Sequence, residues 1–310
     1  MPALRRLVAR ADVRAVITQP DRPAGRGHKL VATPVKRAAE VRGLRVFTPE
    51  KLRPFAAEAH TLGADAFIVA SYGKIVPQML LDIVPIAFNA HPSLLPLYRG
   101  ATPLQSAIRD GRSETGVTII AMDAGMDTGD VLLQERAKIG PRETYGELHD
   151  RLAKRGAELV VEALGRYENG TLQRRPQSEV ARELGTSVDE IAATATRPLR
   201  KDDLTIDWHQ PGRRTVDLVR ALAPQPLART EYLDESLKIV EAHLVTSHEL
   251  HEMADGTVTL APPGLAVSRN PPFVYVVTPD GAVIVDRLIP PNRGPMSAEA
   301  FARRIAEPFS

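Results

Sequence analysis

Between Phe88 and Pro103 the chain reads F-N-A-H-P-S-L-L-P-L-Y-R-G-A-T-P, and this stretch limits the available folds more than any other. Ile86-Ala87-Phe88 has the character of a buried strand end. On an extended backbone Asn89 and His91 leave from the same face, because side chains alternate with period two. Pro92 and Pro96 then stop any β-ladder and stiffen the exit loop. A strand that ends in an amide and an imidazole on one side reads as a site rather than a core. Taken singly, an asparagine more often closes a turn and a histidine more often sits satisfied in partial burial. The surrounding sequence decides between these readings.

Strand and helix patterns alternate around that stretch. Pro2 to Arg10 has a helical apolar face, and Val13 to Thr18 is rich in β-branched residues. The segment Gln19 to Lys29 reads as a loop with two prolines, two glycines and several basic side chains. Thr33 followed by Pro34 predicts a capped helix to about Val41. A short strand at Leu44 to Phe47 and a helix from Pro54 to Leu62 follow. Ala64 to Ser71 is apolar enough to predict a strand buried on both faces, with Tyr72 to Pro77 as its exit. Thr102-Pro103 starts a helix to Arg109, Gly116–Met122 and Val131–Lys138 read as strands, and Thr144 to Tyr167 as a long helix. Such alternation predicts an α/β domain with a Rossmann-like, mainly parallel sheet and its ligand site beyond the carboxyl ends of the strands.

From 171 to 203 the sequence is polar and weakly periodic, apart from a short helix near Val188 to Thr194, and reads as a connection. A helix from Arg213 to Leu222 and short β-rich runs at Leu237–Val245, Thr257–Ala261, Phe273–Val277 and Ala282–Leu288 predict a small C-terminal β-barrel or meander, OB-like, closed by a helix capped at Ser297. The expected division is 1–185, a linker at 186–203, and 204–310. A chain of 310 residues can bury two such cores.

Composition excludes several chemistries. There is no cysteine, which removes disulfides, thiolate nucleophiles and cysteine-bound metals. No run has the roughly 18 apolar residues a membrane span needs, and the start lacks the apolar core of a signal peptide, so a cytoplasmic protein is expected. Met1 to Arg53 holds ten Arg and three Lys against four acidic residues, whereas 203–310 holds ten basic against fourteen acidic. A basic leading segment fits a polyanionic partner or a solvated helix face.

Asp127 completes a coherent set. It lies between Gly125 and Gly129, where backbone freedom lets an acid approach a ligand or an imidazole closely. Asp123 and Asp130 read as turn residues. An amide can stabilise a developing oxyanion, an imidazole can move a proton near neutrality, and a carboxylate can orient that imidazole. No G-x-S-x-G elbow and no H-x-x-x-H or H-E-x-x-H spacing competes with this reading, and no metal is expected.

The run N-A-H-P-S-L-L-P-L-Y-R-G, followed by T-G-V-T-I-I-A-M-D-A-G-M-D-T-G-D, resembles the signature of the folate-dependent formyltransferases. T-Q-P-D-R-P-A-G-R-G and the later I-D-W and P-P-N-R-G-P-M-S resemble the branch that acts on methionyl-tRNA. The resemblance covers nearly the whole chain. It implies catalytic roles for Asn89, His91 and Asp127, and transfer of the formyl group of 10-formyltetrahydrofolate to the α-amine of initiator methionyl-tRNA, for translation initiation. It implies a folate site along Ser93, Leu94, Leu95 and Pro96, and along Tyr72, Gly73, Lys74 and Ile75. It implies tRNA contacts at Arg22, Arg26, His28 and Lys29, with no metal, no membrane and a monomer.

The resemblance also implies a first strand ahead of the helix that opens at Pro2, central in the sheet between Val13–Thr18 and Ile86–Asn89, which this chain lacks. The acidic balance of 203–310 departs from the basic C-terminal domain usual in that branch, and Pro224 to Ala228 lacks its aromatic and glycine. Two other readings stay open: a formyltransferase acting on a nucleotide-linked amino sugar, and a truncated, inactive RNA-binding remnant.

Overall fold

A computed structural model of the chain describes residues 1–24, 29–233, 235–254, 264–269 and 271–306. The chain forms two compact units. The first comprises Met1–Pro103, Thr115–Lys138 and His149–Arg197, and the second Leu104–Glu114, Ile139–Leu148 and Pro198–Ser310.

The chain begins with α1 (Pro2–Arg10), β1 (Val16–Ile17), β2 (Arg22–Ala24), β3 (Lys29–Val31) and α2 (Pro34–Glu40). Thr33 caps α2 as its sequence predicts, its hydroxyl accepting from the Lys36 N–H at 3.1 Å. The stretch read as a loop from Gln19 to Lys29 is instead built on a hairpin. β2 and β3 pair antiparallel, and the Lys36 ammonium holds both Asp21 oxygens at 2.9 Å beside them. Next come β4 (Val46–Phe47), α3 (Leu52–His60), β5 (Ala66–Val69), α4 (Gln78–Leu81) and β6 (Ile86–His91). Then follow α5 (Pro103–Arg109), β7 (Glu114–Ala121), β8 (Val131–Lys138), α6 (Tyr145–Glu168), α7 (Gln177–Leu184) and α8 (Val188–Ala193).

Within the first unit β1 pairs parallel with β4, and a four-stranded sheet runs in the order β5-β6-β7-β8. That sheet is mixed, because β6 is parallel to β5 and antiparallel to β7. The vacancy expected beside Ile86–Asn89 is therefore not there. Asn89 stands opposite Val69 on one side and Ile120 on the other, so the backbone of β6 is paired along both edges. β5 departs from its expected burial: all four of its residues are only half-buried, in keeping with a strand paired on one side among the described residues. Phe88 is fully buried and meets the Tyr167 ring edge-on at 6.2 Å, which fixes the root of the strand that ends in His91.

The polar segment read as a connection holds a helix the sequence reading passed over. α7 spaces Val180, Ala181 and Leu184 along one side, with Gly185 in the left-handed conformation as its stop. Val180 packs with Leu95, Ile120 and Val131. The exit from α8 is tied down as well: the Thr194 hydroxyl accepts from the Tyr98 N–H at 3.3 Å, and the Thr196 N–H donates to the Arg99 carbonyl at 2.8 Å.

The second unit contains α9 (Gly212–Leu222), β9 (Ala228–Tyr232), β10 (Glu235–Val245), α10 (Ser247–Met253), β11 (Ala266–Arg269), β12 (Pro272–Thr278), β13 (Gly281–Ile289), β14 (Met296–Ser297) and α11 (Ala298–Ala306). Its sheet is antiparallel in the order β11-β12-β13-β10-β9, with β14 on β13. Trp208, Val219, Leu222, Ile239, Val274, Val283 and Leu288 form its core, and Ser297 caps α11 through the Ala300 N–H. The run expected at Thr257–Ala261 lies outside the described residues. No helix among the described residues is long and apolar enough to cross a membrane.

Candidate active site

β6 carries both polar residues to the end of its ladder. Asn89 is half-buried, and His91, still on the strand, is 4% exposed. The chain then folds back on itself. The Ser93 N–H donates to the His91 carbonyl at 3.0 Å, the Ser93 hydroxyl donates to the Leu97 carbonyl at 2.7 Å, and Tyr98 adopts a positive φ of 58°. This return places the Tyr98 carbonyl 2.9 Å from His91 Nε2. A carbonyl oxygen only accepts, so the Nε2 hydrogen is fixed there and the neutral ring keeps its lone pair on Nδ1.

Asp127 arrives from the β7–β8 connection. Asp123 anchors that turn, accepting from the Gly125 N–H at 3.0 Å and the Thr128 hydroxyl at 2.7 Å. At Gly129 a Cβ would sit 1.8 Å from the Ala121 carbonyl oxygen, so only glycine lets the turn close against the strand. Asp127 takes φ 55°, a region an aspartate tolerates better than most residues.

The three side chains meet. Asp127 Oδ1 accepts from Asn89 Nδ2 at 3.1 Å, Oδ2 accepts from the Gly100 N–H at 2.9 Å, and Oδ2 lies 3.5 Å from His91 Nδ1. The Asn89 contact with the acid was not foreseen in the sequence, where Asp127 was paired with His91 alone. Burial pushes the His91 imidazole below its ordinary value, against the opposing pull of the Asp127 carboxylate and the Tyr98 carbonyl. Burial thus favours the neutral ring, whose unprotonated Nδ1 faces the carboxylate.

A residue that the sequence reading did not single out holds this arrangement from behind. Gln177, the first residue of α7, is 6% exposed. Its Nε2 donates to the carbonyls of Asp127 at 2.7 Å and Gly129 at 2.9 Å, and its Oε1 accepts from Arg99 Nε at 3.0 Å and Nη2 at 2.7 Å.

The other expected site residues separate into three groups. Ser93, Leu94, Leu95 and Pro96 are all buried, Ser93 and Leu95 wholly so. The Thr118 hydroxyl bonds the Ser93 carbonyl and the Leu95 N–H, and Gln134 Nε2 bonds the Leu95 carbonyl. These side chains pack on the core beneath the site, and the bonds from Thr118 and Gln134 fix the backbone of Ser93 and Leu95 there. Along Tyr72 to Ile75 the exposure alternates: Gly73 and Ile75 are exposed, Ile75 by 72%, while Lys74 is half-buried with its Nζ on the Glu50 carbonyl at 2.9 Å, and Tyr72 is half-buried against the cluster of Leu52, Phe55 and Leu80. Arg22 lies exposed on β2, and Lys29 starts β3. Arg26 and His28 lie outside the described residues. Among the described residues no group of acids and histidines is arranged to hold a metal ion.

The chain is similar to known proteins along most of its length. Residues 2–164 match the family described as Formyl transferase, and residues 198–306 the one described as Formyl transferase, C-terminal domain. The Methionyl-tRNA formyltransferase of Roseiflexus castenholzii is 40% identical over 307 residues, covering 97% of this chain and 91% of the relative. That of Geobacter metallireducens is 43% identical over 250 residues, covering 79% of this chain and 76% of the relative. Among solved structures, the N-formyltransferase from Helicobacter canadensis superposes with a TM-score of 0.63 at 18% identity, covering 91% of this chain and 93% of that one. HypX from Aquifex aeolicus gives 0.59 at 20%, covering 85% of this chain and 45% of that one. At such identities the solved structures speak for the fold alone. The matches over 2–164 and 198–306, with 40% identity along 97% of the sequence, show that this chain belongs to the formyl transferase family.

Proposed function

We propose that the chain transfers a formyl group from 10-formyltetrahydrofolate to the α-amine of methionyl-tRNA. The observation that carries the reading is the meeting of Asn89, His91 and Asp127 in a chain 40% identical, over nearly its full length, to a methionyl-tRNA formyltransferase. The chemistry follows from the atoms. One Asn89 Nδ2 hydrogen is committed to Asp127, and the second is free to meet the oxygen of the formyl group as it becomes an oxyanion. The amine nitrogen attacks the formyl carbon and forms the new C–N bond. His91 Nδ1 takes the proton that nitrogen sheds, and the resulting imidazolium is stabilised by Asp127 3.5 Å away. The same proton passes to folate N10 as its bond to the formyl carbon breaks, so the sequence ends with neutral His91. An α-amine with a pKa of about 7.7–8.0 is partly neutral at physiological pH and needs little further activation.

The folate binds along the 72–75 loop and the 93–96 turn, and the β2–β3 hairpin meets the tRNA. Purified protein is incubated with 10-formyltetrahydrofolate and either methionyl-tRNA or an amino-sugar nucleotide. Formyl-methionyl-tRNA as the product supports the proposal, and formylation of the sugar alone overturns it. Binding of tRNA without turnover of either substrate also overturns it.

A further inference from the structure

We infer that Gln177 is a positioning residue of the reaction, the clamp that sets Asp127 against Asn89 and His91 by joining the two loops that carry the cluster. The inference rests on the proposed formyl transfer for its kinetic consequence but not for its structural one.

The cluster's side chains take their contacts outside β6 from loop 93–100 and loop 123–130. The first supplies the Tyr98 carbonyl to His91 and the Gly100 N–H to Asp127, and the second supplies Asp127 itself. Gln177 touches both. Its amide orientation is not ambiguous, since the Asp127 and Gly129 carbonyls can only accept and the Arg99 guanidinium can only donate. Arg99 stands between Tyr98 and Gly100, so fixing its side chain fixes the peptide groups on either side. The bond to the Asp127 carbonyl holds that residue at its left-handed φ of 55° and thereby sets the direction of its carboxylate. The clamp sits on a rigid support. Val180 anchors α7 in the core with Leu95, Ile120 and Val131, and Arg175 just ahead of it exchanges both backbone bonds with Val131, at 2.8 and 2.9 Å. The Gln177 side chain is itself buried and its bonds are buried or partly buried, so losing one weakens the hold on a carbonyl or on the Arg99 guanidinium.

Two neutral substitutions test the clamp. Gln177→Met keeps length but donates and accepts nothing, and Gln177→Asn keeps the amide but is too short to span both loops. The Asn variant provides the measurement if the Met variant does not fold. The first readout needs no activity: the His91 imidazole is titrated by NMR in the parent and each variant, its signal assigned by its loss in His91→Asn. Asp127 is the charged group facing His91, with Arg99 and Asp123 behind it. Releasing the carboxylate lowers the His91 midpoint further, and an unchanged or raised midpoint overturns the inference. The second readout is kinetic. The kcat is expected to fall about 10- to 100-fold, as for loss of other residues that orient reacting groups, with each KM within about twofold. In Asp127→Asn the same substitution is expected to cost little more, because Gln177 acts through Asp127. A full multiplicative loss in the double variant, or a rise in KM without a fall in kcat, overturns the inference. Should the parent fail to formylate methionyl-tRNA, the proposed function falls and the titration still decides the role of Gln177.

Discussion

The cluster at the end of β6 and the surfaces around it are built on opposite terms. At the cluster, both Asp127 oxygens accept hydrogen bonds, His91 is almost completely buried, and two loops are tied together behind it. At the rim, Ile75 is 72% exposed and Leu30 on β3 is 71% exposed, and Arg22 stands in solvent. The contrast matches what the proposed function asks of each part. Groups that stabilise a transition state gain most when they are oriented before the substrate arrives, because no reorganisation is then needed during the reaction. Groups that hold a large, charged partner gain from being solvated and reachable, and their binding energy appears on contact.

The sharpest way to break that contrast is to remove a member of the cluster. His91→Ala or Asn89→Ala is expected to lower kcat by roughly 10²- to 10⁴-fold while leaving folate and tRNA binding close to the parent's. Steady-state kinetics with both substrates varied would measure this. A change carried mainly by KM would place these residues with the rim instead. A step down in size is Gly100→Ala. A Cβ there would sit 2.2 Å from the Thr196 carbonyl oxygen, on a residue at φ 107° whose N–H holds Asp127. Strain of this kind costs roughly 1–3 kcal/mol, and here both urea stability and kcat should fall. A variant with parental kcat would mean that the Gly100 N–H is not needed to hold the acid.

The parts legible in the sequence were those with local signals. Period-two alternation placed Asn89 and His91 together, the flanking glycines singled out Asp127, and Thr33-Pro34 marked a helix start that the structure reproduces. Gln177 carried no such signal. It lies 50 residues from Asp127, its contacts are all tertiary, and its segment looked like a polar connector, although Val180, Ala181 and Leu184 at helical spacing could have revealed α7. Strand order was equally silent. The apolar pattern of Ala64–Ser71 says that a strand exists but not that it lies beside β6, where β5 fills the place expected to be vacant. The same limit applies to Ser93 to Pro96. Their apolar character fits a ligand wall and a core equally well, and the sequence alone does not show the bonds to Thr118 and Gln134 or the packing of Leu95 against Val180.

Acid sensitivity offers a smaller effect that separates the site from the rest of the chain. Burial depresses the His91 value in the folded state below the roughly 6.5 of an unfolded chain. The unfolded chain therefore binds the extra proton first as pH falls, and stability is lost from about pH 6.5 downward until the folded value is passed. His243 runs the other way: the hydrogen bond to Asp286 at 2.9 Å raises its value, so its contribution is present below about pH 6.5 and is lost as pH rises through the raised folded value. Urea melts from pH 5 to 8 on the parent, His91→Asn and His243→Asn should show the two slopes with opposite sign. Equal pH profiles for the parent and His91→Asn would mean that the ring titrates as freely as in solvent.

The smallest expected effect probes the rim itself. Arg22 lies exposed on β2, and the ion pair at the base of that hairpin belongs to Asp21 and Lys36 rather than to Arg22. If the hairpin meets tRNA, Arg22→Ala removes one phosphate contact. The dependence of log affinity on log salt concentration should then become shallower by about 0.7–0.9. Affinity at moderate salt should fall only a few-fold, and kcat at saturating tRNA should stay at the parental value. A fall in kcat with an unchanged salt slope would place Arg22 with the oriented groups of the cluster. A loss confined to the salt slope keeps it with the solvated groups, where binding energy is gathered without touching the reacting atoms.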